Sequence, residues 1–148
     1  MNVFIFSFNF NPVSVKAADQ KIAQLNSELS TQKIIQKHCD SYRLCRKVIE
    51  DCKSAKDPKS YRTKHHAEYH LHDSLKKELQ NLGVTKIPSS DKIKKRIENL
   101  ESEQTASVRE KQGLQEKQKL LNTIQQNFNV LLDAPEMQPP LSEKENTL

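Results

Sequence analysis

Four of the five histidines fall within eight residues: His65-His66-Ala67-Glu68-Tyr69-His70-Leu71-His72. His66 and His70 are at i and i+4 and share one face of a helix, and two imidazole nitrogens at that spacing can hold Zn²⁺. A zinc site needs at least a third ligand, and Glu68 falls on a different face from the pair. His65 and His72, seven apart, lie on the other face in line with apolar residues. The pattern reads as two histidines on an apolar seam and two in solvent, with no metal and no cofactor.

Nucleophile chemistry is less favoured still. Cys39 follows His38 directly, which on a helix sets their side chains about a hundred degrees apart. There is no Gly-x-Ser-x-Gly and no Walker sequence. Tyr42, Tyr61 and Tyr69 have no base-rich pocket around them in sequence. Cys39, Cys45 and Cys52 are odd in number and match no metal spacing, so they read as free thiols in a reducing cytosol. Catalysis by this chain is not expected.

The basic clusters are Arg43-Arg46-Lys47, Lys76-Lys77 and Lys92-Lys94-Lys95-Arg96. The last opens a helix, the end at which the dipole disfavours cations. A phosphate contact would explain that placement, and so would solubility. Net charge is +4 over residues 1–56, +4 over 57–100 and −3 over 101–148. A basic body with an acidic end permits contact with nucleic acid without requiring it. No aromatic residues interleave the basic ones, so a stacking platform for single strands is absent. The DNA-contacting candidates are Arg43, Arg46, Lys47, Lys92, Lys94, Lys95 and Arg96.

The elements that must carry these residues are helices. Hydrophobic residues are only 34% of 148, Gly only 2, and Trp is lacking, so neither a deep aromatic core nor tight hairpins can be built. Mean hydropathy is −0.81. Val15, Ala18, Ile22, Leu25 and Leu29 repeat at threes and fours, a heptad seam. The seam resumes at Ile35, Cys39, Tyr42, Cys45, Ile49 and Cys52. No Gly or Pro interrupts residues 13–57, which predicts one long helix or two collinear ones. Asp57-Pro58 supplies an N-cap and a first helical residue. A second helix then carries Tyr61, His65, Glu68, His72, Leu75, Leu79 and Leu82 to Gly83, a natural C′ residue. Val84–Pro88 is a short extended linker.

Ser89, Ser90 and Asp91 offer caps for a third helix. Its seam opens on Ile93, Ile97 and Leu100, turns polar between Gln104 and Gln118, and recovers at Leu121, Ile124, Phe128, Leu131 and Leu132. That polar middle is expected to pack weakly or to be solvated. The fold class expected is all-α, a long antiparallel helical hairpin or coiled coil with a shorter middle helix. Whether the two arms close within one chain or between two is not set by the pattern.

Residues 1–14 are expected to be a leader, disordered or adventitious. They contain Phe4, Phe6, Phe8 and Phe10 in alternation, are too short to span a bilayer, and lack the early positive charge of a signal peptide. Residues 15–133 form the helical domain and 134–148 a disordered tail.

The string Tyr61–Pro88, YRTKHHAEYHLHDSLKKELQNLGVTKIP, resembles the C-terminal helical region of relaxases, the mobilization nucleases of plasmids and conjugative elements in Firmicutes. The matching residues are His65 or His66, Ala67, Glu68, Leu71, His72 and Lys76, then Leu82, Gly83, Val84, Thr85, Lys86, Ile87 and Pro88. The resemblance spans roughly residues 15–133. Relaxases carry an N-terminal nuclease domain with a metal-binding histidine cluster and a nucleophilic Tyr, and this sequence has neither. The resemblance therefore implies the non-catalytic end of a relaxase, with residues 1 to about 14 translated from a chance start. It implies a cytoplasmic role in DNA mobilization, with the DNA phosphate backbone, other transfer proteins or a second copy as partner and no membrane. The alternative is a stand-alone coiled-coil adaptor without a DNA role.

Overall fold

The computed structural model describes residues 12–133. The tail expected at 134–148 lies outside them, as do residues 1–11 of the leader expected over 1–14. Four helices follow in order: α1, Pro12–Lys53; α2, Pro58–Lys64; α3, His66–Asn81; and α4, Ser90–Asp133. No strand occurs among the described residues. The first arm is one helix rather than two, and it begins at Pro12, three residues ahead of Val15. Pro suits that first turn, where an N–H has no acceptor and φ is already helical.

The arms close within one chain. Four cross-contacts fix their direction: Asp19 with Lys111, Asn26 with Gln104, Lys33 with Glu101 at 3.1 Å, and Arg43 with the Pro88 carbonyl. As the α1 number rises the α4 number falls, so the arms are antiparallel. The sum of these paired numbers stays near 130, and the long Arg96 side chain reaches back to Glu28 at a sum of 124. α3 lies against α1 as the shorter middle piece.

The core sits in the half of the hairpin nearest the linker. Leu25, Leu29, Ile35 and Cys39 of α1 meet Leu79 of α3 and Ile93, Ile97 and Leu100 of α4. Tyr42, Val84 and Ile87 pack against this cluster. Cys39 and Leu79 are essentially sealed, at 0% and 1% exposure. Towards the far end, Ser107 is buried, Lys111 is half-buried against Asp19, and Leu114, Gln118 and Leu121 are half-buried. The polar middle of α4 thus keeps its heptad register on α1 through hydrogen bonds and ion pairs.

The joints follow local chemistry. Asp57 caps α2, its Oδ1 accepting from the Ser60 N–H at 3.2 Å, and Pro58 is the first helical residue. Gly83 has φ +80, the left-handed region. The Val84 N–H donates to the Leu79 carbonyl at 2.9 Å and Gly83 N–H to Gln80 at 3.0 Å, a Schellman closure with Val84 folded over Leu79. Ser89 Oγ accepts from the Lys92 N–H at 3.3 Å at the start of α4.

One expectation is corrected. The segment from Asp57 to Leu82 is not a single helix, because the chain bends at His65, where φ is −106 and ψ 27. The His65 N–H still reaches the Tyr61 carbonyl at 3.0 Å, and its own carbonyl accepts from Glu68 at 3.1 Å. The bend therefore costs little backbone bonding. It carries the chain from the end of α1 into α3, which lies back along α1.

Candidate nucleic-acid interface

The bend at His65 also divides the histidine cluster. His65 stacks on Tyr61 with ring centroids 4.3 Å apart, and its Nδ1 meets Glu68 Oε1 at 3.2 Å. That bond, more than the charge of His65, holds the Glu68 carboxyl below its ordinary range; the backbone N–H of Glu68 adds to it and burial opposes it. His72 turns to α1 instead. It stacks on Tyr42 at 4.6 Å and an interplanar angle of 25°, with Nδ1 3.2 Å from Asp73.

His66 and His70 do share a face, and they meet each other. Their Nε2 atoms lie 3.1 Å apart with rings edge-on. One imidazole must therefore donate and the other accept. Among the described residues, no group of three or more His, Cys, Asp or Glu is placed to hold a metal ion.

Tyr61, Tyr69, Cys39 and Cys45 are tuned away from reactivity. Burial, ahead of the nearby Asp51, pushes the Tyr61 phenol up, and a hydrogen bond with Cys52, then burial, pushes up that of Tyr69. Arg62 lies over the Tyr69 ring, 5.1 Å from its centroid. The Cys39 and Cys45 thiols are likewise raised, first by burial. An activated nucleophile needs the opposite shift.

The basic candidates divide into engaged and free. Arg43 is half-buried; one guanidinium nitrogen lies 3.0 Å from Asp40 and another donates to the Pro88 carbonyl. It ties the linker to α1, a structural use that its place in a basic cluster did not suggest. Arg46 pairs with Glu50 at 3.0 Å and Arg96 with Glu28 of α1, both largely exposed. Lys47, Lys92, Lys94 and Lys95 are exposed and take part in no ion pair among the described residues.

Helix geometry then decides which of these act together. Lys92, Lys95 and Arg96 are three and four apart and share a face, while Lys94 lies roughly opposite Lys92. Arg43, bonded to Pro88, brings the α1 cluster to the same end of the hairpin as the start of α4. The interface the structure offers is therefore a band of cations around the linker end.

No helix among the described residues is long and apolar enough to cross a membrane. No family model, no curated protein and no solved structure matches the chain.

Proposed function

We propose that the chain is a non-catalytic helical module of a DNA-mobilization relaxase, acting in the cytoplasm by contact with the DNA phosphate backbone. One observation carries the reading: Lys92, Lys94 and Lys95 stand exposed, with no ion-pair partner among the described residues, in the first turns of α4, where the helix dipole opposes them. A polyanion removes that repulsion, and phosphates are the partners that ammonium groups bind as point charges. The likeness of Tyr61–Pro88 to relaxase tails supports the same direction.

Contacts of this kind read charge, not sequence, so affinity falls steeply with salt, by a log–log slope of about −0.9 for each phosphate neutralised. The test is titration of labelled duplex at low salt with the wild-type chain and with Lys92, Lys94 and Lys95 all changed to Gln. Wild type is expected to bind unrelated sequences alike, with a slope of about −2, one phosphate for each of Lys92 and Lys95 on the shared face, that the triple variant largely loses. Failure of the wild-type chain to bind at tens of micromolar would leave the coiled-coil adaptor without a DNA role as the better account.

A further inference from the structure

α4 outlasts the helix it packs on. With paired numbers summing to about 130, Pro12 falls level with about residue 118 of α4, and the last four turns run on past the start of α1. Those turns are unlike the rest of the chain. Residues 120–132 hold no charge, in a protein that is 29% charged. They expose Leu120, Ile124, Phe128, Val130, Leu131 and Leu132, with Phe128 at 50% and Leu131 at 74%.

The apolar stripe there is broader than the line that α1 covers. From Ile93 to Leu121 the covered positions step by four and three in alternation. After Leu121, Phe128 and Leu132 keep that line, while Ile124 and Leu131 stand one position ahead of it. The apolar face past the start of α1 is therefore wider than the seam that α1 covers.

The segment is also its own mirror in chemistry. Read inward from both ends, Lys119 is matched by Asp133, Leu120 by Leu132, Leu121 by Leu131 and Ile124 by Phe128, about Gln126. We propose that residues 119–133 pair antiparallel with the same residues of a second copy, about a two-fold axis at Gln126. Each stripe residue then faces a stripe residue of the partner. The segment's two charges, opposite in sign, come level at its ends. A self-complementary patch of this kind is what an isologous dimer requires. The proposal is independent of any DNA role.

Two heptads a side make an interface at the small end of the range, so association is expected at tens of micromolar, not nanomolar. Sedimentation equilibrium of the full chain from about 5 to 300 µM should show its mass rise from one chain towards two. Two double variants test the register. Ile124→Lys with Phe128→Lys sets like charges opposite each other and should remain monomeric throughout. Ile124→Lys with Phe128→Glu sets each Lys opposite a Glu of the partner and should dimerise at least tenfold more tightly than the double-Lys chain. Both substitutions fall on exposed positions, and circular dichroism checks that each variant remains helical. A wild-type chain that stays monomeric to 300 µM overturns the proposal, as it would if residues 1–11 of the same chain covered the face. Equal behaviour of the two variants overturns the antiparallel register.

Discussion

The guanidinium of Arg43 donates to the backbone carbonyl of Pro88, forty-five residues further along the chain. The same side chain holds Asp40, so it spans α1 and the last residue of the linker before α4. The linker of five residues between Gly83 and Ser89 packs Val84 and Ile87 on the core, and this bond fixes its far end, where α4 begins.

Arg43→Ala should therefore destabilise the fold by about 1–2 kcal/mol, allowing for its partial exposure. Arg43→Lys should recover little, because one ammonium cannot hold both partners in the forked geometry. Thermal unfolding measures both. If the cations at the start of α4 carry the DNA contact, the salt slope of DNA binding should be nearly the same for Arg43→Ala as for wild type.

The two glycines should respond with opposite signs. A Cβ at Gly113 meets nothing within 4 Å, and the residue lies in mid-helix. Gly113→Ala should stabilise by about 1 kcal/mol. At Gly83 there is also room, yet φ is +80, so Gly83→Ala should destabilise by about 1 kcal/mol through backbone strain alone. Equal shifts in melting temperature would contradict the assignment of Gly83 as the left-handed C′ residue.

The thiols should be silent until the protein opens. Cys39, Cys45 and Cys52 are buried, and burial raises the first two above the ordinary thiol range. With a disulfide-exchange reagent at pH 8, labelling should be at least about a hundredfold slower in the native protein than in denaturant. A thiol that reacts at once in the native protein would mean that the α1 seam is open there.

Acid should loosen the bend between α2 and α3. The Glu68 carboxyl is depressed in the fold by its bond with His65, so it stabilises the fold above its ordinary value of 4.5. That contribution is lost as pH falls below 4.5 and through the folded value. Comparing acid unfolding of wild type and Glu68→Gln should show a shallower response below pH 4.5 in the variant. Identical curves would remove Glu68 from the acid response.

The helices and their ends were legible because they rest on local chemistry. Asp57-Pro58, Gly83 and Ser89 act at their own positions, and the three–four spacing of Leu25, Leu29, Ile93 and Ile97 needs no knowledge of a partner. The bend at His65 was not legible. It depends on α3 lying back along α1, which brings His72 onto Tyr42, and nothing in the local sequence marks it. The site was legible only as charge. That Arg43 and Arg96 would be engaged by Pro88 and Glu28 depends on the register of α1 against α4, which periodicity leaves free.

The uneven placement of the core has a mechanical consequence. The first residues of α1 and the last of α4 leave the hairpin at the same end, opposite the linker. Tension applied at those two points would peel the arms apart layer by layer instead of shearing them along their length. The first layers met are thin, the small Ala18 and half-buried Val15 and Leu114 beside the ion pair of Asp19 with Lys111, and yield at low load. Resistance would rise only when the tear reaches Leu25 and Leu29, with Ile97 and Leu100 on the other arm. Under pull, the chain behaves as a strap that lengthens easily at first and holds at its buckle.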